Sequence, residues 1–136
     1  MKRYLLLMIL TLALCTSCSL DNDNSAEFYI EVMPVQSVEI PEEFVQGETY
    51  EIFMTYIRPS TCHVFNNLVF DIQNHERTVT ILNTVYPQEE CSFEAEEETI
   101  SFELTVSGTE TYLFKFFQGT VEGVDHYHLV EVPVVE

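Results

Sequence analysis

Alternation of apolar and polar residues with a period of two is the feature that most constrains the fold of this chain. The clearest example is the stretch 100–106, ISFELTV, in which every second residue is apolar. Because successive side chains of a β-strand point to opposite faces, this pattern is typical of a strand with one buried face. No long run has the helical period. The sequence therefore predicts an all-β protein.

Similar runs recur along the chain and are separated by turn residues such as Pro, Gly, Asn and Asp. A first strand is predicted over 28–40 and is interrupted at Pro34, because proline cannot donate to a strand ladder. Six more strands are predicted over 50–56, 64–73, 78–86, 100–106, 112–117 and 127–134. Seven short strands with turns every 8 to 12 residues or so favour a β-sandwich. The alternative is an up-and-down β-barrel.

The order of these strands resembles the immunoglobulin-like fold, in which a split first strand is followed by six others. In that family a tyrosine near the start of the sixth strand, where Tyr112 lies, often hydrogen-bonds back across a corner. Gly108 lies four residues before Tyr112 rather than two, so the sequence leaves this contact open. The resemblance also implies that the loops after strands two and four lie at one end of the sandwich.

The first residues predict export. Two basic residues precede an apolar run over 4–14, which is shorter than the roughly 20 residues that a spanning helix needs. A basic start, a short apolar core and small residues before a cut site are typical of a cleaved secretory signal. Thr16 and Ser17 before Cys18 resemble the lipobox of bacterial lipoproteins, in which the cysteine takes diacylglycerol and becomes the new N-terminus. Ordinary secretion, which leaves Cys18 a plain thiol, is the alternative.

The lipobox resemblance divides the chain into three parts. It implies a signal peptide over 1–17, a lipidated Cys18 with a flexible tether over 18–26, and a β-sandwich domain over 27–136. The stretch 19–23, SLDND, is similar to the serine and acidic run that follow the lipidated cysteine in surface lipoproteins of the Bacteroidota group. We therefore expect a lipid anchor in the outer membrane of the cell envelope, with the side of the membrane left open.

Two cysteines, Cys62 and Cys91, remain once the signal and the lipidated residue are set aside. An even pair outside the cytoplasm indicates a disulfide. They lie in the two loops that the immunoglobulin-like layout places at the same end, which supports the pairing. The alternative is two separate buried thiols.

Acidity excludes one class of partner. Beyond the signal only Arg58, Arg77 and Lys115 stand against 23 carboxylates. Such a surface repels nucleic acid and anionic headgroups, because it has no basic patch to offer them. No nucleic-acid role is expected.

Few residues suggest chemistry. His126 and His128 share a strand face near Asp125, but two histidines are too few for a closed metal site. The acidic stretch 94–98 lacks the ordered spacing of a calcium loop. No serine or cysteine nucleophile motif occurs, and no pair of carboxylates stands out as a glycosidase pair. The sequence predicts no catalytic residue, metal or cofactor.

Two functions are therefore weighed. The first is a membrane-anchored lipoprotein that acts as a binding or structural module for a protein or glycan partner, without catalysis. The alternative is a small secreted hydrolase that acts on glycans or peptides. A deep pocket with converging polar groups would favour the hydrolase, and flat sheet faces would favour the binding module.

A candidate partner-binding face follows from strand phase. Asp71 and Lys115 should point to water in the third and sixth strands, and Glu131 should do so in the last. The apolar residues at every second position from these charged residues then lie on the same outer side. In an immunoglobulin-like sandwich these three strands are neighbours. A bulge that shifts the phase, or a loop or tether that covers the face, is the alternative. The predicted face comprises Phe65, Val69, Leu113, Lys115, Phe117, Tyr127 and Leu129.

Overall fold

A computed structural model describes residues 27–87 and 89–136. The predicted signal peptide, the lipidation site Cys18 and the tether lie outside the described residues. Within this part of the chain the protein is an all-β sandwich. Its strands are β1 (Tyr29–Met33), β2 (Val35–Glu39), β3 (Phe44–Val45), β4 (Thr49–Arg58), β5 (His63–Gln73), β6 (Glu76–Val85), β7 (Glu96–Thr105), β8 (Tyr112–Val121), β9 (Val124–Val132) and β10 (Val134–Val135).

Five strands form the larger sheet, with β6 at its centre. One side of β6 pairs with β5 in an antiparallel ladder over its whole length. The other side pairs in parallel with β8 through residues 76–79 and antiparallel with β1 through residues 81–85. Beyond β8, β9 adds as an antiparallel edge strand. The smaller sheet is antiparallel with the order β2-β4-β7, and β3 pairs with β10 in a short parallel ladder.

Pro34 divides the first strand between the two sheets. β1, before it, pairs with β6, whereas β2, after it, pairs with β4. With β1 and β2 counted as one split strand, and the two-residue β3 and β10 set aside, seven principal strands remain in the described residues. This confirms the predicted β-sandwich of about seven strands. Both main sheets are open and have free edges, so the barrel alternative is wrong.

One neighbour relation differs from the prediction. β5 was expected beside β8, but β6 lies between them. The short turn after β5, where Asn74 adopts a positive φ of 56°, makes β6 the hairpin partner of β5, and β8 then pairs in parallel with the other side of β6. The amide of Leu113 donates to the carbonyl of His75 at 3.0 Å and joins the start of β8 to that turn.

The core lies between the two sheets. Alternate residues of β8, namely Tyr112, Phe114 and Phe116, form a row of stacked rings whose centroids lie 5.8 to 6.0 Å apart. Phe44 packs its ring edge-on against Tyr112 at 5.7 Å. The opposite sheet contributes buried side chains from β4 to the same core. This burial supplies the hydrophobic stabilisation of the sandwich.

Tyr112 also closes the connection from β7 to β8. Its hydroxyl donates to the carbonyl of Ser107 at 3.0 Å and accepts from the Ser107 amide at the same distance. Because the ring is buried, the hydroxyl satisfies two backbone groups that would otherwise lack partners. The corner contact that the sequence left open is therefore present, five residues upstream of the tyrosine.

Candidate functional site

The outer face of the smaller sheet is mainly polar, and Phe53 and Ile57 of β4 are its apolar members. Thr49 and Thr105 lie opposite each other with their hydroxyls 2.9 Å apart, and Ser101 donates to Glu51 at 2.6 Å. Opposed residues of neighbouring strands share a face, so these hydrogen-bonded pairs line one surface. That surface is well suited to contact with water.

The outer face of the five-stranded sheet is different. In β6, Thr80, Leu82 and Thr84 alternate with core residues and so point outward. Ile30 and Val32 of β1 lie opposite Thr84 and Leu82, and on the other side of β6, Val69 lies opposite Thr80 and Val64 opposite Thr84. Ile30 and Val69 remain 46% and 45% exposed. We refer to this surface of β5, β6, β1, β8 and β9 as the outer face.

The strands β8 and β9 extend the outer face. Leu113, Lys115 and Phe117 alternate with the buried ring row of β8 and are half-buried. Lys115 lies opposite Leu129, and Phe117 lies opposite Tyr127 with their ring centroids 5.9 Å apart. Leu129 is 58% exposed. The phase predicted for these two strands agrees with this register, while partner binding by these residues stays a prediction.

The phase predicted for Phe65 is wrong. β5 carries a bulge between Phe65 and Asn67, where Asn66 adds an unpaired residue. One extra residue reverses the direction of every side chain beyond it. Val69 consequently faces outward with Asp71 as predicted, whereas Phe65 lies opposite the buried Asn83 on the inner side. The alternative of a phase shift at a bulge therefore holds for Phe65 alone among the predicted residues.

Most charged side chains on the outer face lie at one end, and Asp125, at the other end of β9, accepts a hydrogen bond from Thr120 at 2.6 Å. Asp71, Glu76, Lys115 and Glu131 occupy two adjacent rows of the register, and Lys115 forms an ion pair with Glu76. The rows through Thr80, Leu82 and Thr84 contain only aliphatic, threonine and asparagine side chains from β5, β6 and β1. A chain with 23 carboxylates therefore keeps a large part of one sheet face free of charge.

A buried polar relay joins three segments that the sequence did not connect. Nε2 of His63 lies 2.8 Å from Oε2 of Glu31, and Nδ1 lies 2.8 Å from Oγ of Ser60. A carboxylate only accepts, so Nε2 donates to Glu31, and Nδ1 shares the second hydrogen bond with the Ser60 hydroxyl. The relay ties β1 to the β4–β5 loop and to the start of β5. No motif spacing points to it, because Glu31 lies far away in sequence.

Ser60, His63 and Glu31 are the residue types of a hydrolase triad, but the serine is buried. Ser60 is 1% exposed, and its Oγ already accepts the amide proton of Cys62 at 3.2 Å. A nucleophile has to reach the carbonyl it attacks, and a serine with 1% of its surface exposed is not accessible to a substrate. The relay is therefore a structural clasp at the end of the sandwich.

A second buried contact connects the two sheets. The hydroxyl of Tyr56 lies 2.9 Å from Oε2 of Glu98 and 3.2 Å from Oδ1 of Asn83. Burial raises the pKa of Tyr56 to about 12, so the hydroxyl stays protonated at neutral pH and donates to one of these oxygens at a time. Among the described residues, the Nδ2 of Asn83 is buried without a hydrogen-bond partner.

The predicted disulfide is present in the structure. Cys62 and Cys91 pair with their Cα atoms 5.4 Å apart, and their loops lie at the same end of the sandwich, as expected. Backbone and side-chain hydrogen bonds between Thr61 and Ser92 hold the same two loops together.

The remaining candidate residues are the two histidines of β9 that were weighed as metal ligands. His126 and His128 are exposed on β9, on the side of the sheet that faces away from Tyr127. No group of three or more His, Cys, Asp or Glu side chains within residues 27–87 and 89–136 is arranged to hold a metal ion. The same residues contain no helix long and apolar enough to cross a membrane.

Comparisons with known proteins add no family. The chain matches no protein-family model, and searches of curated proteins and of solved structures gave no match.

Proposed function

We propose that this chain is a lipid-anchored binding module of the cell envelope that holds a protein partner on its outer face. The observation that carries the proposal is the chargeless part of that face, where Ile30, Val32 and Val69 are exposed on an otherwise strongly acidic molecule. Contiguous apolar surface on a soluble domain usually marks an interaction site. The polar face of the smaller sheet serves as an internal contrast on the same molecule.

The composition of the face favours a protein over a glycan. Its exposed side chains near β1 and β5 are mainly aliphatic, whereas Phe117 and Tyr127 are its aromatic members. Aliphatic and aromatic side chains with few charges are typical of the central part of a protein interface. The hydrolase alternative gains nothing from the Ser60 relay, because its serine is buried.

The proposed anchor limits the distance between the domain and the membrane. β1 begins three residues after the proposed tether, and its first residue pairs with Val85 near the disulfide loops. Eight residues between Cys18 and the domain span at most about 30 Å when fully extended. With the proposed anchor, the disulfide end, where the tether enters the domain, stays within about 30 Å of the lipidated cysteine, and the outer face is open to a partner in the same compartment.

The test is a pair of serine substitutions on the outer face. We expect V32S/L129S to keep the fold, because both side chains are exposed, and to lose the partner that chemical cross-linking captures on intact envelopes. The matched control is V121S/V124S, which replaces two residues that are 60% exposed at the tip of the β8–β9 hairpin.

The comparison of the two variants decides the proposal. Capture that is unchanged in V32S/L129S, or lost equally in the control, contradicts binding at the outer face. Thermal unfolding of both variants is measured alongside. A variant that unfolds at growth temperature would show that its side chains belong to the core.

A further inference from the structure

The strand β5 has an unprotected edge. It is 11 residues long and, within the described residues, pairs only with β6, so the backbone amides and carbonyls on its other side have no strand partner. Edge strands usually carry lysine, proline or several charges that prevent a further strand from adding. β5 contains neither lysine nor proline, and Asp71 is its one carboxylate. By contrast, the edge strand β7 contains four glutamates.

A cleft runs beside this edge, where the two sheets separate. Phe70 and Ile72 of β5 face Phe102 and Leu104 of β7 across a space of about 190 Å³, with Phe114 also in its lining. The rings of Phe70 and Phe102 meet edge-to-face at 5.0 Å. Ile72 is still 60% exposed. An apolar side chain that enters from outside would be covered by both sheets.

A strand added to β5 would use both features. Its backbone would pair with the amides and carbonyls on that side of β5, where the Leu68 amide at present donates to Oδ1 of Asn67 at 2.8 Å. Its alternate side chains would point inward to the cleft and outward beside Asp71. The inward positions suit apolar residues, because Arg77 at the cleft already donates to the carbonyls of Asn74 and Glu76. The outward positions lie beside a carboxylate, and Glu103 of β7 also lines the cleft.

Charge distinguishes a foreign strand from a second copy of this chain. All three cations of the described residues are engaged within the molecule. Arg58 pairs with Glu96 and Glu98, Lys115 pairs with Glu76, and Arg77 lies over the Tyr112 ring. A second copy would bring another set of carboxylates and no free cation, whereas a basic strand would complement the surface.

We propose that the free edge of β5 accepts an extended segment of a partner protein in which apolar and basic residues alternate. The segment adds as a sixth strand to the five-stranded sheet, with its apolar side chains in the cleft beside Phe70 and Phe102. This site lies at the edge of β5, away from the uncharged middle of the outer face, and goes beyond the function proposed above.

The test uses an eight-residue peptide in which valine and lysine alternate, added to the purified protein. Hydrogen exchange should show new protection of amides within residues 67–72. A peptide with glutamate in place of lysine should not bind at the same concentration. D71K/E103K, which reverses the two carboxylates beside the edge, should weaken binding by about tenfold or more, because like charges then repel.

The control changes the same total charge elsewhere. E39K/E131K places two lysines on β2 and β9, at the opposite edges of the two sheets, and should bind the peptide as the parent does. Equal weakening in both variants, or protection on β7, β9 or β2 instead of β5, overturns the proposal. A dimer in sedimentation without peptide, with β5 amides already protected, would assign the edge to a second copy.

The proposals for the outer face and for the β5 edge can be tested independently. V32S/L129S alters the outer face but not the edge, so it should bind the valine–lysine peptide normally. Loss of peptide binding in that variant would contradict separate sites. Normal peptide binding together with unchanged partner capture would contradict the outer face alone.

Discussion

Three polar residues of this sandwich have the geometry of a catalytic triad but stabilise the fold. Ser60, His63 and Glu31 lie at hydrogen-bonding distances, yet the serine is shielded from solvent and bonded to the turn that contains it. Most buried polar groups in folded proteins are hydrogen-bonded. The relay satisfies groups that the loop brings inside, and it joins β1 to the disulfide end.

Removal of the serine hydroxyl should therefore cost stability. In Ser60→Ala the Cys62 amide loses its acceptor and His63 loses a partner, both in buried positions, so we expect the free energy of unfolding to fall by about 1–3 kcal/mol. Ser101→Ala, which removes an exposed hydroxyl, should change it by about 0.5 kcal/mol or less. Urea unfolding measures both. Unaltered stability of Ser60→Ala combined with loss of a hydrolytic activity would reverse the assignment.

At the scale of elements, the disulfide joins the two loops that connect the smaller sheet to the larger one at one end of the sandwich. Cys62 follows β4 of the smaller sheet and Cys91 precedes β7 of the same sheet, while β5 and β6 of the other sheet lie between them in sequence. The bond therefore closes a loop around the β5–β6 hairpin. In the unfolded chain this closure removes conformational freedom, which stabilises the folded state.

Replacement of both cysteines should lower stability substantially. For a loop with a sequence separation of 29, the chain-entropy estimate predicts a loss of about 3–4 kcal/mol in C62A/C91A and a fall of several degrees or more in melting temperature. Differential scanning calorimetry measures the fall. Thiol titration of the freshly purified parent should find neither Cys62 nor Cys91 free, and two reactive thiols would contradict the bond.

For the whole molecule, the distribution of charge separates the possible surfaces. The smaller sheet and its edge strand β7 carry hydroxyls and glutamates, whereas the middle of the outer face is uncharged and β5 carries one carboxylate, Asp71. Net charge of one sign keeps a protein soluble and repels anionic surfaces. Contact with a partner on the uncharged surfaces removes the fewest charges from water, so its desolvation penalty is lowest there.

The proposed anchor has a direct test. Cys18→Ala removes the sulfur that a thioether-linked lipid requires, so the variant should lose fatty-acid labelling. It should either leave the membrane fraction or accumulate uncleaved. Cys15→Ala is the control, since the lipobox resemblance places that cysteine in the discarded signal, and it should label as the parent does. Undiminished labelling of the Cys18 variant would show that the lipobox interpretation is wrong.

Local patterns in the sequence determined the strands and their buried sides. The period of two in β7 and β8 is a consequence of backbone geometry within one strand, so it could be read without knowledge of the neighbours. The split at Pro34 follows from the missing amide of one residue. The cysteine pair could be predicted because the sequence predicts export and leaves only two cysteines beyond the predicted signal and Cys18.

Other features depended on contacts between distant segments, and only the tertiary structure decided them. The parallel pairing of β6 with β8 placed β6 between β5 and β8, and the bulge at Asn66 in the pairing of β5 with β6 turned Phe65 inward. Ile30 and Val32 joined the outer face because β1 pairs with β6. The Ser60 relay and the cleft beside β5 likewise arise where strands far apart in sequence meet, since side chains there are brought together by packing and not by spacing along the chain.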